Sequence, residues 1–175
     1  MNKKPTILDA IPGYEAWLSV ARTSQLFQRV MSQALVPLGL EVAHYDVLAN
    51  VARDEGLSQQ VLARRLLVAK SNVSALLAVL ERRGLIERVK HATDARVRLV
   101  SLTPEGREVT GRATKEHARI VSMIMGVVTA QEAEAVRNAM VKISEVLLPN
   151  PPNPPKSDIR VDAVAGVIVD THQPD

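Results

Sequence analysis

Residues 57–102 constrain the fold more than any other stretch, because the spacing of their apolar residues changes at one glycine. Before Gly84, apolar residues recur every three or four positions in two short segments, which predicts two amphipathic helices joined by a tight turn. After Gly84 they alternate over Ile86–Lys90 and again over 97–102, which predicts two short strands around a polar loop. This order is that of a winged helix-turn-helix.

Local signals mark where the two helices begin and end. Ser58 precedes the first helix, and its hydroxyl can accept hydrogen bonds from free N–H groups of the first turn. The second helix is expected over 70–83. Gly84 follows its end and suits the left-handed conformation that often terminates helices.

The start of the second helix carries short polar side chains that its apolar stripe leaves facing outward. Such side chains can reach base edges and phosphates in a major groove. The predicted contacts on this helix are Lys70, Ser71, Asn72, Ser74 and Ala75. On the first helix, Gln59, Gln60 and Arg64 are predicted to contact the DNA backbone, positioning the protein rather than selecting sequence. Ordinary solvated surface is the alternative for both helices.

The loop between the two strands is the predicted wing. Arg96 can enter a minor groove, where the negative potential favours a guanidinium group. Asp94 lies two residues earlier and can hold that guanidinium in place through a charge-assisted hydrogen bond, although it can also simply start a turn. Removal of either side chain is expected to weaken DNA binding.

The charge distribution favours the same interpretation. The chain carries a net charge of +3. Residues 53–102 contain ten Lys and Arg against five Asp and Glu, a local charge of +5 that leaves −2 for the remainder. Positive charge is therefore concentrated in the segment that would meet nucleic acid.

At these residues the chain resembles the multiple antibiotic resistance regulator (MarR) family. The resemblance rests on three runs in the family's order and spacing: GLIER at 84–88, DAR at 94–96 and VSLTPEG at 100–106. It extends more weakly over 14–148. It implies a homodimeric winged helix-turn-helix transcription factor, commonly a repressor that a small ligand releases from DNA.

The chain departs from the family pattern in two places. Leu67 occupies a turn position where the family usually has glycine, so a positive φ there would cost roughly 1–2 kcal/mol. Ala75 and Val79 stand where many members have arginine on the recognition helix. Base contacts are therefore expected to depend more on Ser71, Asn72, Ser74 and the wing.

Helices are also expected on both sides of this region. Over 12–36 and 41–53, apolar residues follow helical spacing. Thr103 with Pro104 starts another helix expected to reach 128, and Thr129 with Glu132 forms a capping box for the last one. The apolar stripes of the first and last two helices are best buried by a second subunit.

The fold class is thus mainly α with a small β wing, a winged helix-turn-helix plus a helical dimerisation region. The expected domains are an N-terminal dimerisation helix (1–36), the DNA-binding region (37–102), C-terminal dimerisation helices (103–148), and a proline-rich linker with a tail (149–175). Within the tail, 159–169 is apolar enough for a short strand or packed segment; a mobile terminus is the alternative.

The resemblance implies an effector site where the dimer helices meet the DNA-binding region. The candidate ligand-binding residues are Tyr14, Trp17, Arg22, His44 and Tyr45. Tyr14 and Trp17 could stack a small aromatic acid whose carboxylate pairs with Arg22. Alternatively, these are ordinary residues of a dimer core.

Several function classes are disfavoured. The chain has no cysteine, no run of 18 apolar residues and no clustered histidines, so we expect no thiol chemistry, membrane span or metal site. We also find no phosphate-binding loop or nucleophile motif, so neither a cofactor nor enzyme activity is expected. A cytoplasmic, DNA-binding transcriptional regulator is the favoured function, and a sequence-tolerant architectural DNA-binding protein is the alternative.

Overall fold

The computed structural model describes residues 6–90 and 98–147, and the backbone of 160–161 and 168–169. The chain divides into two compact units, Met1–Val42 and Ala43–Asp175. The described fold is mainly helical with a small antiparallel sheet, which confirms the predicted fold class.

The first unit is built around one long helix. A short 3-10 turn at Ile7–Ala10 precedes α1 (Tyr14–Leu35). Gly13, the residue just before α1, has a left-handed conformation (φ 82°). A second 3-10 turn, Val36–Leu38, contains Pro37 and ends the helix. Because proline has no N–H to donate and a fixed φ, the helix ends close to the predicted position.

The second unit contains the helix-turn-helix and its sheet. The elements in chain order are α2 (Val42–Arg53), β1 (Leu57–Ser58), α3 (Gln59–Leu66), α4 (Lys70–Arg82), β2 (Ile86–Lys90) and β3 (Arg98–Leu102). The sheet order is β1-β3-β2, all antiparallel, with Leu57 opposite Val100 and Ile86 opposite Leu102. The two-residue strand β1 was not predicted, because a pair of residues is too short to show alternation.

The core of this unit is aliphatic. Its fully buried side chains come from α2, α3, α4 and the sheet, and include Val47, Leu48, Val51, Leu62, Val73, Leu77, Leu80 and Val100. Each side chain of this size stabilises the fold by about 1.5–3 kcal/mol when buried. The core therefore fixes which faces of α3 and α4 point outward.

Two long helices follow the sheet, α5 (Pro104–Met125) and α6 (Ala130–Leu147). In α5 the buried residues are Gly106, Thr110, Ala113 and Ile120, whereas the apolar residues near its C-terminal end are exposed. No residue of α6 is buried. In the tail, β4 (Arg160–Val161) pairs antiparallel with β5 (Ile168–Val169).

The predicted helix caps are confirmed. The Ser58 hydroxyl accepts a hydrogen bond from the Val61 N–H at 3.3 Å, and that of Thr103 accepts one from the Gly106 N–H at 3.0 Å. Thr129 and Glu132 form the reciprocal capping box, with bonds of 3.2 and 2.8 Å. These caps place each helix start within one residue of its predicted position.

Leu67 has the positive φ that its turn position demands. It ends α3 at φ 54° and ψ 36°, and its N–H and that of Val68 donate to carbonyls in the last turn of α3. Among the described residues it is the only non-glycine residue with positive φ. Because its side chain is 69% exposed, burial offsets little of the conformational strain.

Replacing Leu67 with glycine is expected to raise the free energy of unfolding by about 0.5–1 kcal/mol. Glycine relieves a strain of roughly 1–2 kcal/mol in the folded protein. Part of this gain is lost because glycine also raises the conformational entropy of the unfolded chain. Val68→Gly is the matched control, since Val68 has negative φ and its substitution should destabilise the protein. Urea unfolding measures both, and a loss of stability in Leu67→Gly would contradict the prediction.

Candidate nucleic-acid interface

The start of α4 presents the predicted polar surface. Lys70, Ser71, Asn72 and Ala75 are exposed, and Ser74 is half-buried. On the opposite side of the same helix Val73, Leu77 and Leu80 are fully buried. The buried face anchors α4 in the core, so the polar face projects from the unit in a fixed direction.

Gln59 and Ser74 contact each other across the helix-turn-helix. The Gln59 side-chain amide donates to the Ser74 hydroxyl and to the Lys70 carbonyl oxygen, the latter at 3.2 Å. The Ser74 hydroxyl donates to the same carbonyl oxygen at 3.0 Å. No local pattern predicts this network, because Gln59 and Ser74 are fifteen residues apart.

The other predicted DNA contacts lie on α3 and in the loop between β2 and β3. Arg64 is exposed on α3 and available to a phosphate. Asp94 and Arg96 lie outside the described residues, so the wing contacts stay predictions. The neighbouring Arg65 pairs with Asp54 at 2.6 Å and Arg107 pairs with Glu55, which ties α3 and α5 to the turn after α2.

The C-terminal end of α4 is joined closely to the start of α5. Gly84 has φ 69°, as predicted for the residue after the helix. The Thr103 hydroxyl donates to the Gly84 carbonyl oxygen at 2.6 Å, and the Thr103 N–H donates to that of Leu85 at 3.1 Å. A methyl group on Gly106 would lie 1.8 Å from the Leu85 carbonyl oxygen. We call these four residues the α4–α5 junction.

An ion pair links α4 to the sheet. The Arg88 Nε donates to Glu81 Oε2 at 3.0 Å, and the Arg88 Nη2 contacts the same carboxylate. This hydrogen bond holds the pKa of Glu81 below its usual value. Because both side chains are partly exposed, the pair contributes modestly to stability and mainly orients β2 against α4.

The candidate ligand residues fall in both units. In the first, Tyr14 begins α1, Trp17 is 52% exposed and Arg22 is exposed. In the second, His44 and Tyr45 are buried in α2. His44 Nδ1 is the buried side-chain nitrogen that has no hydrogen-bond partner among the described residues. Ligand binding by these five residues stays a prediction.

Tyr45 makes a polar contact that the sequence did not reveal. Its hydroxyl lies 2.9 Å from His117 Nδ1 on α5, and the two rings meet edge to face with centroids 5.5 Å apart. Burial lowers the pKa of His117, while the nearby Asp46 raises it by less. Burial raises the pKa of Tyr45, which keeps its hydroxyl protonated. His117 is 72 residues from Tyr45, too far for a local pattern.

The lowered pKa of His117 predicts a pH-dependent stability. As the pH falls through about 6.5, the unfolded histidine binds a proton before the folded one, so the free energy of unfolding decreases. His117→Gln should flatten this dependence in the pH range at and below the unfolded pKa of about 6.5. Burial raises the pKa of Asp46, so the folded protein protonates this carboxyl before the unfolded chain does. As the pH falls toward about 4, this increases the free energy of unfolding and so opposes the effect of His117. Urea unfolding across this range measures the effect, and an unchanged slope in His117→Gln would contradict it.

Comparison with known proteins agrees with the observed architecture. The MarR family model matches residues 38–97, which include α2, the helix-turn-helix and β2. Transcriptional regulator HosA of Escherichia coli is 32% identical over 111 residues, covering 63% of this chain and 82% of HosA. The chain belongs to the MarR family. It is a MarR-family transcriptional regulator with a winged helix-turn-helix.

Solved MarR-family structures share this fold. The transcriptional repressor CouR, bound to a 23-mer DNA duplex, is 25% identical with a TM-score of 0.69, covering 82% of this chain and 99% of CouR. The organohalide-sensing regulator RdhR, solved with 2,4-dichlorophenol, is 19% identical with a TM-score of 0.72, covering 84% and 88%. The identity to RdhR is low enough that it supports the fold alone.

The described residues were also compared with the requirements for a membrane span and for a metal site. In the parts of the chain that the structure describes, no helix is both long and apolar enough to cross a membrane. Over the same residues, no group of three or more metal-binding side chains comes together.

Proposed function

We propose that this MarR-family regulator binds double-stranded DNA with the start of α4 in the major groove. The observation that carries the proposal is the exposed polar face of Lys70, Ser71, Asn72 and Ala75, on a helix whose other face is buried. The excess of positive charge over 53–102 supports it, because phosphate neutralisation supplies much of the affinity for DNA. A DNA-binding role requires the compartment that holds the genome, so a cytoplasmic location is part of this proposal.

We propose further that the protein acts as a homodimer. Two observations support this: α6 has no buried residue, and the C-terminal part of α5 leaves large apolar side chains exposed. The exposed apolar residues of these helices and of the turn between them are Val121, Met123, Ile124, Met125, Val127, Val128, Val136, Ile143, Val146 and Leu147. An isologous dimer would present two α4 helices to half-sites roughly 34 Å apart, which predicts a pseudo-palindromic operator.

We also propose repression with release by a small aromatic or phenolic ligand. Repression follows where the operator overlaps a promoter. In one form of the dimer the spacing of the two α4 helices would not match that of the half-sites. A ligand that binds this form more tightly raises its population and so lowers the affinity for DNA. The support is the presence of Tyr14, Trp17 and Arg22 on α1, and separately of the buried His44 and Tyr45 on α2. Phenolic compounds are the first to test, because the rings of Tyr14 and Trp17 can stack on an aromatic ligand.

The test of the DNA-binding proposal is selection from random duplex DNA by the purified full chain. We expect a two-fold symmetric site, bound at least ~10³-fold more tightly than scrambled DNA at fixed salt. Steeply salt-dependent binding without sequence preference would replace this proposal with the architectural one. Absence of DNA binding would contradict both.

A further inference from the structure

The contact between Gln59 and Ser74 has a defined polarity. The Lys70 carbonyl oxygen can only accept hydrogen bonds, so both groups that contact it must donate. The Gln59 amide therefore directs its nitrogen toward α4, and Ser74 uses its hydroxyl proton on this carbonyl. Because an amide nitrogen has only N–H donors, Ser74 must accept the remaining bond from Gln59.

This polarity determines what Ser74 can offer to a ligand. A serine hydroxyl has one proton and two acceptor sites. The proton is used on Lys70 and one acceptor site on Gln59. The remaining capacity of the half-buried Ser74 is a single acceptor site.

We infer that Gln59 is a positioning residue that makes Ser74 an acceptor-only reader of bases, selecting adenine or cytosine at one position of each half-site. The inference rests on the proposed insertion of α4 into the major groove. A freely rotating serine contacts donors and acceptors alike and so reads little sequence. Here the hydrogen bonds to Gln59 and Lys70 remove that freedom.

The chemistry of the major groove names the preferred bases. Adenine presents the N6 amino group there and cytosine the N4 amino group, and both donate hydrogen bonds. Guanine presents O6 and N7, and thymine presents O4, all of which accept. Two acceptors facing each other leave both unsatisfied, so we expect adenine or cytosine to be preferred about fivefold over guanine or thymine.

Gln59 contributes to the preference without itself touching a base. Its amide donates to the Ser74 hydroxyl oxygen and so opposes rotation of that hydroxyl. The second bond from the amide, to the Lys70 carbonyl oxygen, links α3 to the first turn of α4. Removing the amide should leave Ser74 in place with only its bond to the Lys70 carbonyl, so that its hydroxyl can turn to donate to a base acceptor by giving up one hydrogen bond instead of two. The expected result is a loss of discrimination with a smaller loss of affinity.

The test compares site selection by four full-length proteins: wild type, Ser74→Ala, Gln59→Met and Gln60→Met. Gln60 is an exposed glutamine in the same turn of α3, and a contact with the DNA backbone would carry no sequence information, so Gln60→Met is the matched control for base preference. Circular dichroism and thermal melting confirm that each variant is folded. We expect adenine or cytosine at one position per half-site in the wild type and in Gln60→Met. In Ser74→Ala and Gln59→Met that preference should fall from about fivefold to less than twofold.

Each outcome decides one point. A wild type that selects no site contradicts the proposed function, and the inference fails with it. A specific site whose base preferences survive Ser74→Ala overturns the inference and leaves the function intact. Preference for guanine or thymine at the Ser74-dependent position overturns the acceptor-only assignment. If Ser74→Ala removes the preference and Gln59→Met retains it, the positioning role of Gln59 is wrong.

Discussion

Replacing Gly106 with alanine is expected to lower the free energy of unfolding by about 3 kcal/mol, the upper part of the range for overpacking. The new methyl group would lie 1.8 Å from the Leu85 carbonyl oxygen and 2.8 Å from its carbon, both backbone atoms that cannot rotate away. Relief requires α5 to move from the end of α4. Such a shift strains the Thr103 hydrogen bonds to Gly84 and Leu85.

Gly111 provides a control within the same helix. It lies in α5, and a methyl group there meets no atom within 4 Å. Gly111→Ala should raise the free energy of unfolding by about 0.5–1 kcal/mol, because alanine loses less backbone entropy in a helix. Urea unfolding of both variants therefore gives changes of opposite sign. Similar effects at the two positions would show that Gly106 does not act through its contact with Leu85.

The double substitution Val136→Glu and Ile143→Glu is expected to convert the protein to a monomer and weaken operator binding by about 10²–10⁴-fold. Both side chains lie on one stripe of α6, 60% and 38% exposed in the isolated chain. A buried, unpaired carboxylate in a dimer interface is costly. Without the dimer, the second half-site no longer benefits from the high effective concentration that linkage supplies.

Sedimentation velocity and titration of the selected operator measure the two effects together. Lys142→Gln is the control, because it makes the charge of α6 more negative by one unit, against two in the double variant, and lies away from the stripe of Val136 and Ile143. It should leave both the oligomeric state and the affinity nearly unchanged. A double variant that remains dimeric would exclude this face of α6 as the interface. A wild type that sediments as a monomer would contradict the homodimer proposal itself.

Local signals explain why so much of the fold could be predicted from the sequence. Ser58, Thr103 and Thr129 each place a hydroxyl at a helix start, where free N–H groups need acceptors. Gly84 and Leu67 take the left-handed conformations that their positions after helix ends require. Each signal lies within a few residues of its effect, so no knowledge of the tertiary structure is needed.

What the sequence did not show depends on contacts between distant residues. β1 forms only because Gly56 and Leu57 come beside Val100, and two residues carry no period of their own. The hydrogen bonds from the Gln59 amide to Lys70 and Ser74 join residues 11 and 15 positions apart, so no local pattern indicates them, and the predicted contact of Gln59 with the DNA backbone stays a prediction. The Tyr45–His117 contact likewise requires α2 and α5 to pack together. The predicted roles of Asp94 and Arg96 remain to be tested by substitution.

The α4–α5 junction has a mechanical consequence for any regulator built this way. Because Thr103 hydrogen bonds to Gly84 and Leu85 and so joins the end of α4 directly to the start of α5, we expect the two helices to turn together. A 22-residue helix is about 33 Å long, so a displacement of about 3 Å at the far end of α5 corresponds to a rotation of about 5° at the junction. Small displacements of α5 at the dimer interface would thus change the angle of the DNA-facing helix α4, with the α4–α5 junction as the pivot.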